Sequence, residues 1–228
     1  MNEELRFKLE QAHRIAYMEG LAEDASRGHI TAKTADGRIY IKPWGVGFEE
    51  VKAEDFQGVD LDGNLLEGKG RIHSELILHL EIYRKRKDVF SIVHVHPYNS
   101  ILLSSVFRGK IRIISQHGAR FTGKLPLYRS AGLIQSKEQG AELAETLAGA
   151  PIVLMKNHGI TTVGNSVEEA VLLALHFEEA AKEHLQATLS GNPSGMPEAA
   201  AKKISANNYA TAQLSMLWAY YWKKFSRR

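Results

Sequence analysis

At 228 residues, 44% apolar and 24% charged, the chain carries enough material for one sizeable core. It has no cysteine, which excludes disulfides, thiolate metal sites and cysteine nucleophiles. No apolar run approaches the ~20 residues that span a bilayer. The acidic start Met1-Asn2-Glu3-Glu4 leads into no signal-peptide pattern, so a cytoplasmic protein with no membrane partner is expected. The formal net charge of +3 gathers partly at Trp222–Arg228 and Arg84-Lys85-Arg86-Lys87. Neither run interleaves base-stacking aromatics, so both read as solvated faces and no nucleic-acid partner is expected.

Residues 3–22 repeat apolar positions at helical spacing and end near Gly20. Ile39-Tyr40-Ile41 follows Asp36-Gly37, a hairpin signal, and Val59-Asp60-Leu61 precedes a second turn, Asp62-Gly63-Asn64. The spacing predicts a helix over 74–86 with Leu76, Ile77, Leu80 and Tyr83 on one face. Phe90–His96 reads as a strand stopped by Pro97, and 99–107 as a short helix. Ile111–Ile114 is a strand candidate, followed by a glycine-containing loop to about 134. A helix over 136–148 opens on Ser136, and the apolar strand Ile152–Lys156 runs into Asn157-His158-Gly159. Thr161–Gly164 continues as strand and turn, and Ser166 with Glu169 forms a capping box for a helix over 167–189. Gly191-Asn192-Pro193-Ser194-Gly195 breaks the chain before a last helix, 197–224, bearing Tyr209, Trp218, Tyr221 and Trp222. Strands alternating with helices around one mixed sheet imply a single α/β domain over residues 1–228, with 191–228 expected as a C-terminal helical extension near the active site.

Residues two apart on a strand share a face, so His94 and His96 project together at a strand end, with Val95 turned to the core. Two imidazoles so spaced form half a site for zinc or a similar divalent ion. His158 ends another apolar strand before Gly159, and the three histidines converge on one ion if the sheet brings those ends together. Glu75, at a helix start in His73-Ser74-Glu75, is either a fourth ligand or acid/base beside the metal, or a glutamate favoured there by the helix dipole. His13, His79, His176 and His184 lie in helical patterns and read as surface or packing residues. His29, His73 and His117, in loops or at element ends, are candidates for substrate contact.

Ser74-Glu75, His94-Val95-His96 and Asn157-His158-Gly159 together resemble the class II aldolase/adducin family. Gly28-His29-Ile30-Thr31, Lys42-Pro43-Trp44-Gly45, Asp60–Asn64 and Gly164–Ala170 extend the likeness from about residue 8 to 190. The resemblance implies an α/β/α sandwich around a largely antiparallel sheet, and a homotetramer with its sites at subunit interfaces. It implies one divalent ion per chain, held by His94, His96, His158 and Glu75, with zinc first and manganese, iron and cobalt also suited to these donors. The ion would stabilise an enolate-like anion of a small-molecule substrate while a carbon–carbon bond breaks.

Where the family's phosphate-using members carry small hydroxyls and an amide, this chain has His29, Trp44 and His73-Ser74. Those four side chains are read as substrate-binding and suit a flatter carboxylate better than a phosphate cradle needs. Leu127–Ile134, Glu138-Gln139-Gly140 and the aromatic C-terminal helix look more like the family's decarboxylase branch, which acts on hydroxylated aromatic or pyridine dicarboxylates. Arg71, Arg120 and Lys42 are candidates to pair with a carboxylate, and Glu75, His29 and Tyr209 are candidates for the catalytic proton transfer. The expected function is a metal-dependent decarboxylase. The alternatives are an aldolase or epimerase on a sugar or sugar phosphate, and a non-catalytic adducin-like interaction domain.

Overall fold

Both sequence turns close as hairpins. The computed structural model describes residues 2–22, 24, 26–191 and 194–225. β1 (His29–Lys33) turns through Gly37, whose φ of 89° favours glycine, into β2 (Ile39–Ile41). β3 (Gln57–Val59) and β4 (Leu65–Glu67) close around Asp60, whose carboxylate accepts the backbone N–H groups of Asp62 and Asn64. With β5 (Ser91–Val95), β6 (Leu127–Tyr128), β7 (Ile152–Met155) and β8 (Gly159–Gly164), these strands form one sheet in the order β4-β3-β2-β1-β5-β8-β7-β6. The β6–β7 pair alone is parallel, so the sheet is largely antiparallel, as expected.

Alternation along the strands splits the core in two. Ile30, Ala32, Val93 and Val95 face one side, where α1 (Asn2–Met18), α3 (Tyr98–Val106) and α5 (Val167–Leu189) cover them. Ile39, Ile41, Ile92 and Val153 face the other side, beneath α2 (Leu76–Lys85) and α4 (Lys137–Leu147). The architecture is an α/β/α sandwich. α5 keeps its expected bounds, with Ser166 Oγ accepting the Glu169 N–H at 3.1 Å and Glu169 Oε2 accepting the Asn165 N–H at 2.9 Å.

Four expectations change. The segment Ile111–Ile114 joins no strand: the Arg112 N–H donates to His184 Nδ1 and Ile113 O accepts from the Met196 N–H, so its backbone is satisfied away from the sheet. β6 lies inside the expected loop, two residues long and recruited only by pairing with β7. The last helix is two, α6 (Glu198–Asn208) and α7 (Thr211–Phe225), because Tyr209 leaves helical geometry and its hydroxyl bonds His176 on α5. On α2 the buried surface is wider than the expected stripe: Leu78, His79 and Ile82 are buried, whereas Ile77 is only partly so. Asn192-Pro193 of the expected break and Ser226–Arg228 of the basic tail lie outside the described residues. Among the described residues no helix is long and apolar enough to cross a membrane.

Candidate metal centre

Register brings the histidines together. His29 on β1 lies opposite His94 on β5, and His94 opposite Thr161 on β8, so the three share a row and a face. His96 follows just beyond β5, and His158 stands in the β7–β8 turn, where Asn157 takes φ 55° and its N–H donates to Ser104 Oγ. The turn packs against the other histidines so closely that a Cβ on Gly159 would lie 2.3 Å from Val95 O. Across the strand end, a Cβ on Gly28 would lie 2.9 Å from His94 O. Glycine at both positions lets the strand ends converge.

The rings of His94, His96 and His158 form a nearly equilateral triangle, with centroids 4.8, 5.0 and 5.0 Å apart. Their backing partners fix the tautomers. His94 Nδ1–H donates to Ile160 O at 3.1 Å, and His96 Nδ1–H donates to the Asp24 carboxylate at 2.6 Å. Burial would raise Asp24, but the hydrogen bond from His96 outweighs it and holds the carboxyl below its usual range. Both Nε2 atoms therefore carry lone pairs, and they face each other at 3.0 Å. His158 Nε2 is buried without a hydrogen-bond partner, 3.9 Å from Glu75 Oε1. Two opposed lone pairs and an orphaned nitrogen are repulsive or unsatisfied as they stand, and a cation between them answers both. Ligand atoms around tetrahedral zinc sit roughly 3.3 Å apart, so these donors fit a divalent ion with little movement. Burial, then the neighbouring imidazoles, pushes His94 well below its ordinary value and His158 down to about 4, which keeps both neutral and able to ligate.

Glu75 stands at the N-terminal cap of α2, 3% exposed, and Oε1 accepts the Ile134 N–H at 2.9 Å. Burial raises its pKa and the Ile134 bond opposes the rise. His29, Glu75 and His94 form a second set of ligand-type atoms within 4.8 Å of one another, sharing His94 with the first. His73 Nδ1 accepts the Glu75 N–H at 3.3 Å, and burial followed by Lys42 lowers its pKa to about 4.

This cluster opens into a cleft of about 750 Å³ that also exposes Trp44, Ser74, Leu133 and Arg27. Trp44, half exposed, lies beneath the Arg71 guanidinium at 4.6 Å. A cleft of similar size, about 770 Å³, lies beside Arg108, Lys124 and Arg129 but is lined by no histidine or carboxylate. Size alone therefore does not mark the site.

Other sequence candidates fall elsewhere or in supporting positions. Lys42 is buried in the wall, its Nζ donating to Ser26 O and Val46 O, and burial lowers it to about 8. It braces the loop carrying Asp24 and Arg27 instead of facing the cleft. Within one chain Tyr209 does not join the cluster: its hydroxyl bonds His176 Nδ1 at 2.7 Å and its ring lies under Arg120. His117 sits beside His176, with ring centroids 5.4 Å apart. Sequence reading missed Asp24, Arg27 and the polar role of His79. The first two lie in a loop without a motif, and His79 looks like any buried position of an amphipathic helix.

Residues 8–185 match the family described as Class II Aldolase and Adducin N-terminal domain. The chain is 32% identical to a 3,4-dihydroxyphthalate decarboxylase of Arthrobacter keyseri over 79% of this chain and 77% of that one. It is 34% identical to an L-fuculose phosphate aldolase of Methanocaldococcus jannaschii over 69% of this chain and 83% of that one. An aldolase II superfamily protein from Pseudomonas syringae shares the fold, with a TM-score of 0.87 at 24% identity over 99% of this chain and 93% of that one.

Proposed function

The chain belongs to the family of class II aldolase and adducin N-terminal domains, and from that premise we propose that it is a metal-dependent carbon–carbon lyase that decarboxylates a hydroxylated aromatic or related carboxylate. The observation that carries this reading is the convergence of His94, His96 and His158, with the Nε2 lone pairs of His94 and His96 facing each other beside Glu75 in an open cleft. A bound divalent ion, zinc in this proposal, supplies Lewis acidity that stabilises negative charge on a ligand oxygen as the bond breaks.

The chain's own groups do the rest. His94, His96 and His158 hold the ion, and Ile160 O and Asp24 aim the first two rings. Glu75, 3.9 Å from His158 Nε2, would complete the ligand set as a fourth donor, and its carboxyl is the group placed to hold a proton for the cleaved carbon. Trp44, with Arg71 on its outer face, offers a flat wall for an aromatic ring, and His73 and Ser74 line the same cleft. Arg27 lines it too, exposed and bound to no carboxylate among the described residues, and is the cation we assign to a substrate carboxylate. We propose a homotetramer with sites at subunit interfaces, acting in the cytoplasm. That assembly is also what would carry Tyr209 and the 191–228 extension to another copy's site, since no copy's own Tyr209 reaches its cluster.

A second reading is aldol cleavage of a sugar phosphate, favoured by the 34% identity to an L-fuculose phosphate aldolase. It asks for an anion cradle of small hydroxyls where this cleft has Trp44 and His73, with His29 buried behind His73. Both lyase readings need the quartet of ligands, which a purely interacting domain would not.

Elemental analysis of the purified protein, beside carbon dioxide release from hydroxylated benzoates, phthalates and pyridine dicarboxylates and cleavage of ketose phosphates, tests the reading. We expect about one divalent ion per chain and carbon dioxide from an aromatic carboxylate. Cleavage of a ketose phosphate without any decarboxylation would transfer the assignment to the second reading. A chain that takes up no divalent ion would overturn both.

A further inference from the structure

Behind the metal centre, β1 and α2 enclose a run of polar side chains inside an otherwise apolar layer. His29 and Thr31 lie two apart on β1 and share its inner face, while His79 and Tyr83 lie four apart on α2 and share the face above them. All four are fully buried. His29 Nδ1 lies 2.7 Å from His79 Nε2, His79 Nδ1 2.7 Å from Thr31 Oγ1, and Thr31 Oγ1 2.9 Å from the Tyr83 hydroxyl. The Tyr83 hydroxyl donates to Phe90 O at 3.3 Å, which closes the run at its far end.

A buried polar network is costly unless every member is satisfied. This one satisfies each ring nitrogen and hydroxyl except His29 Nε2, which is buried and without a partner. His29 itself borders the metal end, where it joins Glu75 and His94 in the second ligand-type set. With the Tyr83 hydroxyl donating to Phe90 O, Thr31 Oγ1 donates to Tyr83, His79 Nδ1–H donates to Thr31, and His79 Nε2 accepts from His29 Nδ1–H. The group His29 can offer the site is thus the lone pair of Nε2. Packing alone would not need this arrangement, since a leucine would fill position 79 among Leu76, Leu80 and Ile82 without burying two ring nitrogens.

We infer that His79 is a positioning residue for His29: it occupies Nδ1 and so turns Nε2 toward the ligand held at the metal centre. His79 acts through His29 and touches no ligand itself. Thr31 and Tyr83 orient His79 in turn, as carboxylates and carbonyls orient metal-bound imidazoles. The kinetic side of this inference rests on the lyase reading, and the spectroscopic side does not.

The experiment compares wild type with His79→Leu, His79→Gln and Thr31→Val. A glutamine can place its amide oxygen near the position of His79 Nε2 to accept from His29 Nδ1–H, and valine removes the Thr31 hydroxyl at nearly constant volume. Histidine-labelled ¹⁵N NMR should give a downfield, slowly exchanging ring N–H shared by His29 and His79 in wild type and lost in His79→Leu. With zinc content unchanged, kcat for carbon dioxide release should fall roughly 10- to 100-fold in His79→Leu, the range for supporting residues of a metal site. KM should stay within about twofold, and His79→Gln should recover most of kcat, because the effect lies in orientation and not in substrate affinity. If His79→Leu does not fold, Thr31→Val must lower kcat by a smaller factor in the same sense. A metal-loaded His79→Leu with unchanged kcat, or a His79→Gln as slow as His79→Leu, overturns the inference. If wild type decarboxylates nothing, the lyase reading has failed. The shared N–H then judges the pair alone, and its absence from wild type overturns the inference.

Discussion

Two groups of histidines in this chain each hold a buried ring with a depressed pKa, His158 in one and His176 in the other, but they differ in what the ring nitrogens face. On the sheet, His94 and His96 each give Nδ1 to a backing acceptor, and their Nε2 atoms face each other at 3.0 Å with His158 beside them. On α5, His176 gives Nδ1 to the Tyr209 hydroxyl at 2.7 Å, and His117 lies alongside, 3.8 Å from Glu183. Burial, then His117, lowers His176 to about 4, the same value that burial and His96 give His158. A depressed pKa therefore records burial in both places and separates neither. The distinction is geometric: among the described residues, ligand-type atoms converge within 4.8 Å on the sheet and not on α5.

The strongest way to break this comparison is to remove one ring from each group. His96→Ala should take bound zinc from about one ion per chain to near none, since three-histidine sites have no ligand to spare. Decarboxylation should fall by more than about 10²-fold with it. His176→Ala should leave the metal content as in wild type. Elemental analysis of both proteins decides it, and loss of metal from His176→Ala would mean that the two groups are not separate sites.

Asp24→Asn probes the backing partner and not the ligand. The amide keeps an acceptor near His96 Nδ1 but loses the charge that holds the ring's proton there. Metal affinity should weaken roughly 10- to 100-fold, measured by competition with a chelator. An unchanged affinity would reduce Asp24 to a loop residue.

The pH dependence separates ligand chemistry from fold stability. An ordinary histidine near 6.5 would bind protons in competition with metal below that pH. Here His158 lies near 4 and His94 well below its ordinary value, so protons should not compete with zinc for either of these rings from pH 8 to about 5. Stability of the metal-free protein behaves differently. Folding lowers these pKa values, so the unfolded chain binds more protons between 6.5 and about 4. Stability is thus fully present above 6.5 and is lost as pH falls toward 4, with His176 and His73 near 4 and His13 and His79 near 3 contributing. Thermal melts of chelator-treated protein from pH 7 to 5 should show a falling Tm, and added zinc should raise it at each pH. A metal-free Tm that does not fall would contradict the burial of these rings.

The sheet-borne group was legible in the sequence because strand periodicity and strand ends are local signals. His94-Val95-His96 before Pro97 and His158 before Gly159 each announce a histidine at a rim. What brings the rims together is the antiparallel pairing of β5 with β8, a non-local fact. Asp24 and Arg27 were illegible for the same reason: a polar loop carries no period, and only contact with His96 and the cleft gives them meaning. His79 was hidden by the opposite effect, because helical spacing places it correctly in the core and says nothing about its hydrogen bonds. Ile111–Ile114 had the right residues for a strand, yet a side-chain and a loop partner bind its backbone away from the sheet.

The smallest expected effect belongs to the α5 group and sharpens the comparison most. Tyr209→Phe deletes one hydroxyl and leaves His176 Nδ1 without its partner. As a purely structural bond this costs about 1 kcal/mol, or a fall in Tm of roughly 2–4 °C for a domain of this size. Zinc content should not change, because Tyr209 lies outside the cluster of its own chain. If an assembled neighbour presents Tyr209 to the substrate as proton donor, the same variant loses kcat by about 10²-fold or more while Tm falls by the same few degrees. The two measurements move independently, so a small Tm shift with full activity keeps Tyr209 in the fold. A small Tm shift with lost activity, metal intact, would give the C-terminal helices a catalytic role across the interface.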